Sequence, residues 1–255
     1  MIKDFIERQS GFGRPVNIRY HSEVAVLEID RGENRINLDF IQRINAALDE
    51  VERNPTAKAL ITTGKGKFYS NGIDLDWMGT SARSDPNTGP VFRRNWLGLV
   101  LRFLTFPMPT IAALNGHTFA GGAFFSLMHD YRIMRSDRGW FSINEVHLGL
   151  PLNPLFRELV RTKVSGVHIS DVVVMGKRLT GPEAKDAGIV TSICSAEQLE
   201  AEAVALARRC LPPGGIRREF MTQMKKNVYE NILRRYDEDM STGSSALIAV
   251  ASAKL

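Results

Sequence analysis

Apolar and polar residues alternate through Val16 to Tyr20 and again through Val24 to Asp30, on either side of His21-Ser22-Glu23, a pattern that predicts a β-hairpin. Leu38, Ile41, Ile44, Ala47, Leu48 and Val51 recur instead at helical spacing, so Leu38 to Val51 reads as a helix with one buried face. Ala59 to Thr63 is a short apolar run ending at Gly64, which predicts a buried strand; a polar loop follows through Gly72, then a helical turn near Asp74 to Met78. Ser81 to Pro90, rich in Ser, Asp, Asn, Gly and Pro, predicts a mobile loop. Val91 to Phe106 reads as a helix, Thr110 to Leu114 as a strand, Gly121 to His129 as a helix and Tyr131 to Arg135 as a strand. Strands alternating with helices in this way imply an α/β fold with a mostly parallel sheet, whose sites fall where strands end and helices begin.

After Pro151 the pattern becomes almost wholly helical: Pro154 to Val164, Ser170 to Met175, Gly181 to Ala187, Ala196 to Leu211, Ile216 to Ile232, and a last segment from Arg235 to Ala251. A short strand, Ile189 to Ile193, interrupts the series. The boundary is therefore expected after it, between an α/β core over 1–195 and a helical region over 196–255. That region has several apolar faces and few residues to form a core of its own, so it is expected to pack against neighbouring subunits.

Composition narrows the classes without choosing one. The chain has 255 residues, 44% hydrophobic and 24% charged, enough to bury a sizeable core. Its net charge of +5 comes from 33 basic residues scattered among 28 acidic ones, which gives no basic block for nucleic acid and suits a small polyanionic ligand equally well. The two cysteines, Cys194 and Cys210, form no Cys-x-x-Cys pair and the histidines do not cluster, so neither a disulfide scaffold nor a metal site is expected, and a reducing compartment is. The charged first residues do not read as a secretory signal, and no stretch has the apolar length of a membrane span.

Chemistry concentrates in two small-residue turns that each introduce a helix: Ser70-Asn71-Gly72-Ile73-Asp74, and Asn115 to Ala123 with its Gly121-Gly122 pair. Helix starts offer unpaired N–H groups, so two such turns face to face can hold a developing negative oxygen. Either turn alone reads more readily as plain chain reversal. Their co-occurrence is more specific. Phe68 to Leu75, Pro109 to Gly122 with Asp130, Phe141 to Leu150 with Glu145 ahead of Leu148-Gly149, and the stretches Leu179 to Ala184 and Gly188 to Val190 together resemble the enoyl-CoA hydratase/isomerase (crotonase) family, in the family's order, over roughly residues 15 to 195.

That resemblance implies a crotonase-like spiral of ββα units with a helical C-terminal trimerisation region, hence a homotrimer. It implies that the backbone N–H groups of Ile73 and Gly121 form an oxyanion hole for a thioester carbonyl, that the CoA moiety lies along Ser70, Asn71, Gly72, Ile73, Asp74 and Leu75 with the pantetheine between the two turns, and that Gly122 and Phe124 also bind substrate. CoA is then part of the substrate, and no cofactor is required. Lys65, Lys67, Lys225 and Lys226 are all open as the cation for its phosphates.

Family hydratases use two glutamates; this chain retains one as Glu145 and has Phe124 at the position of the other. Hydration divides two proton tasks between two carboxylates, whereas shifting a double bond needs a single one to take a proton from carbon 2 and return it at carbon 4. The expected activity is therefore that of a 3-enoyl-CoA to trans-2-enoyl-CoA isomerase of fatty-acid β-oxidation, with Glu145 as acid and base, its pKa raised by Phe124, Trp77 and Leu150. Hydration, dienoyl isomerisation and thioester hydrolysis on the same oxyanion hole, or non-catalytic acyl-CoA binding, are the alternatives. His117, His129 and His147 are expected to be structural, and Asp74 and Asp130 to cap or pair locally. The ending Ala253-Lys254-Leu255 is close to the address read by the peroxisomal import receptor, so a peroxisomal location is expected.

Overall fold

The computed structural model describes residues 16–242. Ala253-Lys254-Leu255 and the far end of the last expected helix lie outside the described residues.

The hairpin forms as expected: β1 (Val16–His21) pairs antiparallel with β2 (Val24–Ile29), with Ser22 in the left-handed region at φ 56°. From β2 onward the chain repeats one unit, in which a strand enters a large sheet, a second strand enters a small one, and a helix returns the chain. The first strands of these units are β3 (Ala59–Gly64), β5 (Thr110–Leu114) and β7 (Tyr131–Arg135). The second strands are β4 (Phe68–Ser70), β6 (His117–Phe119) and β8 (Phe141–Ser142). With β9 (Ser192–Cys194) at the edge, the large sheet runs β1-β2-β3-β5-β7-β9, parallel beyond the hairpin, and the small parallel sheet runs β4-β6-β8.

Helices cover both faces of the large sheet, which is why β3 and β5 are buried along their whole length without alternation. On one face lie α1 (Leu38–Arg53), α2 (Leu75–Ser84), α3 (Thr88–Leu104), α4 (Gly121–Leu127) and α5 (Pro154–Lys163), around a core that includes Phe40, Trp96, Phe103 and Phe125. A short helix α6 (Gly181–Asp186) precedes β9. The opposite face is closed by α7 (Leu199–Arg209), whose Leu199, Ala203 and Ala207 meet Val24, Ile61, Ile111 and Ile133. The first helix beyond residue 195 is thus part of this packing. Two more follow, α8 (Arg218–Val228) and α9 (Glu230–Thr242).

Two expectations are corrected. Ser81 to Pro90 is mostly helical: α2 runs to Ser84 and α3 starts at Thr88, leaving only Asp85 to Asn87 between them. Pro90 sits in the first turn of α3, where no backbone N–H is needed, and the Thr88 hydroxyl donates to the Ser81 carbonyl at 3.2 Å. The last helix begins at Glu230, not Arg235, because the segment expected as Ile216 to Ile232 breaks at Tyr229. The short strand expected at Ile189 to Ile193 forms at Ser192–Cys194.

Candidate active site

The two turns singled out in the sequence meet. A β-carbon on Gly72 would fall 3.1 Å from the Gly121 nitrogen, and one on Gly121 would fall 3.2 Å from the Ile73 nitrogen, so the backbones touch where side chains would part them. Ile36 donates to the Gly72 carbonyl and Asp74 to the Ile36 carbonyl, which leaves the Ile73 N–H between them free of this bridge. Gly121 is the first residue of α4, whose N–H has no carbonyl within the helix to receive it. Ala120 before it has φ 48° and ψ −122°, a strained backbone for a residue with a side chain, held by its N–H to the Ser142 carbonyl at 2.9 Å. Two backbone N–H groups from different repeats thereby lie close together where the turns meet.

A cleft of about 950 Å³, its open mouth included, lies beside them. Of the expected site residues, Asn71, Ile73, Leu75, Gly121, Phe124 and Glu145 line it. Ser70, Gly72, Asp74 and Gly122 do not; they build the turns. The buried Ser70 hydroxyl donates to the Asn34 carbonyl at 2.7 Å, and Asp74 caps α2 by accepting from the Trp77 N–H at 3.0 Å. A β-carbon on Gly122 would sit 2.3 Å from the Ser70 carbonyl oxygen, so this position seals the two turns together.

Glu145 starts a one-turn 3₁₀ segment, Glu145–Leu148, closed by Gly149 in the left-handed conformation at φ 67°. Its Oε2 is buried without a hydrogen-bond partner, and burial lifts its carboxyl to about 7, opposed only by its own backbone N–H. Phe124 and Leu150 line the same cleft, as expected, and Phe124 stacks on Phe156 with ring centres 4.4 Å apart. Trp77 is not part of that lining; it packs on Phe92 at 5.7 Å in the neighbouring core. With a carboxyl near neutrality, an apolar wall and two neighbouring backbone N–H groups, the arrangement has the parts needed to move a proton next to a carbonyl.

The other expectations sort by geometry. His129 is buried, with its ring nitrogens at 2.9 Å from the Thr62 hydroxyl and 3.0 Å from the Phe125 carbonyl, and burial lowers it to about 3. His147 meets the Met175 carbonyl at 3.0 Å, and His117 stacks on Phe119 at 5.2 Å. Asp130 accepts from the Thr110 N–H at 2.8 Å and pairs with Lys225 at 2.6 Å, which ties up that lysine; Lys65 pairs with Asp30, and Lys67 lies over the Phe68 ring. None of the four lysines lines the cleft. Arg35 does, steadied by Glu33 at 2.6 Å. Trp96 and Phe156, which helical spacing marks only as core, also stand in the lining, together with Phe119 and Leu152. Among the described residues no group of His, Cys, Asp and Glu is placed to hold a metal, and no helix is long and apolar enough to cross a membrane.

Compared with known proteins, residues 19–250 match the family model described as enoyl-CoA hydratase/isomerase. The chain is 37% identical over 209 residues to enoyl-CoA delta isomerase 3 of Arabidopsis thaliana, covering 80% of this chain and 87% of that one. It is 40% identical over 168 residues to enoyl-CoA delta isomerase 2, peroxisomal, of the same plant, covering 63% and 69%. Its fold superposes on human mitochondrial delta3-delta2-enoyl-CoA isomerase with a TM-score of 0.82 at 21% identity, over 94% of this chain and 91% of that one.

Proposed function

This chain belongs to the enoyl-CoA hydratase/isomerase family, and on that footing we propose that it isomerises 3-enoyl-CoA to trans-2-enoyl-CoA with Glu145 as the only acid–base group. The observation that carries the reading is that Glu145 and Phe124 line one cleft: a carboxyl near neutrality, with a phenyl ring in place of the second carboxylate that would activate water.

The thioester carbonyl accepts from the Ile73 and Gly121 N–H groups, which acidifies the protons on carbon 2. Ionised Glu145 removes one of them, and the charge of the resulting dienolate rests on the held oxygen. Protonated Glu145 then delivers the same proton to carbon 4, and the double bond ends between carbons 2 and 3. The wall of Phe124 and Phe156 keeps water from the intermediate. No redox or metal chemistry enters, and the family's reaction asks for no cofactor besides the CoA of the substrate. Arg35, at the cleft beside Asn71, supplies the cation for the CoA phosphates in place of the four lysines considered from sequence.

The names of two Arabidopsis relatives, both called peroxisomal, support a peroxisomal location, in the degradation of unsaturated fatty acids. The exposed apolar face of α8 supports a homotrimer. The test is conversion of trans-3-hexenoyl-CoA to the conjugated product, followed by absorbance. Native turnover that falls by about 10³-fold in Glu145→Gln is expected. No native turnover, or an unaffected variant, would overturn the reading.

A further inference from the structure

Trp96 lies on α3, is wholly buried, and lines the cleft that holds Glu145; its Nε1–H has no partner. An indole N–H can only donate, and leaving one unpaired inside a protein is costly. The same cleft contains two buried acceptors that are also unpaired, the Asn144 Oδ1 and the Glu145 Oε2. We infer that the Trp96 indole N–H positions the Glu145 carboxylate, by a hydrogen bond that forms when that side chain turns towards it. Of the two acceptors the carboxylate is the stronger, since a bond to an ionised acceptor is worth roughly twice one to a neutral amide. The acyl carbons of a 3-enoyl thioester offer the indole nothing to donate to, so the bond survives substrate entry only with a protein acceptor.

The inference rests on Glu145 being the acid–base group, and it adds an orienting partner for that group. A base that must reach carbon 2 and then carbon 4 has to swing between them about a fixed anchor, and Trp96 is anchored by its tilted contact with Phe156 at 6.1 Å. Other charges near Glu145 are engaged elsewhere or outside the cleft. Arg35 is held by Glu33, His147 by the Met175 carbonyl and Asp171 by Lys177. On α5, Glu158 pairs with Arg161, Lys163 turns to the Tyr229 hydroxyl and Arg157 is exposed. On α3, Arg102 pairs with Asp49 and Glu52, Arg94 is exposed, and Arg93 is buried but outside the cleft lining.

A donor to the ionised form favours ionisation, so its loss raises the midpoint at which Glu145 titrates. Trp96→Phe keeps the ring and removes the N–H. The Glu145 midpoint is read by the infrared carboxylate band that Glu145→Gln abolishes, beside kcat and KM against pH. Expected is an upward shift of about one pH unit, hence roughly a tenfold loss of kcat on the acid side, with KM steady within about twofold. The native protein gives a second readout that needs no change at Trp96: its indole ¹⁵N–H resonance should titrate with the Glu145 midpoint and cease to do so in Glu145→Gln. An unmoved midpoint in folded Trp96→Phe, or a flat indole resonance, would overturn the inference. A titrating indole in a protein that turns over no 3-enoyl-CoA would instead overturn the proposed function and leave this coupling standing.

Discussion

Burial of the Glu145 carboxyl costs the fold stability. Its carboxyl ionises at about 7 in the fold against an ordinary value of 4.5, so between those values the folded chain holds a proton that the unfolded chain has released. Stability contributed by that proton is complete below about pH 4.5, declines as pH rises towards 7, and is absent above it. Glu145→Gln, which removes the ionisation, should therefore raise the urea-unfolding free energy at pH 8 by on the order of 2 kcal/mol and change it little at pH 4.5. Equal effects at both pH values would show that the carboxyl is not strained by burial. That Glu145 and Phe124 stand at one cleft was legible in the sequence through the motifs that carry them. Trp96 and Arg35 were not. Trp96 falls on an apolar helical stripe with Leu97, Val100 and Phe103, where nothing in the spacing separates a core indole from one that faces a cleft. Arg35 reaches the site only because the chain from Asn34 to Ile36 is drawn against Gly72 by the bond from the Ile36 N–H at 2.8 Å.

Among the elements, the two turns behave as one device. Gly122 lies against the Ser70 carbonyl and Gly121 against Ile73, so the β4 turn and the α4 start hold their N–H groups at fixed separation only while both stay close. Gly122→Ala puts a methyl where the Ser70 oxygen already is, 2.3 Å away, and forces backbone apart. Expected are a loss of about 2 kcal/mol in thermal or urea unfolding and a fall in kcat of at least about 10²-fold, because each lost oxyanion donor costs that much. Wild-type kcat in a folded Gly122→Ala would refute the shared-seal account. The long periodic elements were legible: the hairpin, α1 and strands β3, β5 and β7 form where the pattern put them. The small sheet was not, since β4, β6 and β8 are two or three residues each, too short for alternation to register. Ser81 to Pro90 was misread because a helix start and a helix end share the polar residues that mark loops.

Over the whole molecule, what the helical region covers differs from one helix to the next. α7 is committed to its own sheet, while α8 shows Phe220, Met224 and Val228 at four-residue intervals, 58%, 61% and 65% exposed. A stripe of this kind is closed in water by another copy more readily than left open. The chain should sediment as a trimer, and Phe220→Asp with Met224→Asp should shift it to the monomer while the far-ultraviolet circular dichroism stays unchanged. A trimer in the double variant would place the interface elsewhere. The meeting of Ile73 with Gly121 also governs the order of events as the chain folds. Each N–H comes from a different repeat, and β4 joins β6 and β8 only after strands distant in sequence have aligned. Closing such loops before any contact rewards it slows a parallel fold. Activity should therefore return on dilution from denaturant with the slowest kinetic phase, later than helical signal, so a half-folded chain in the cell carries helices and a hydrophobic surface but no chemistry.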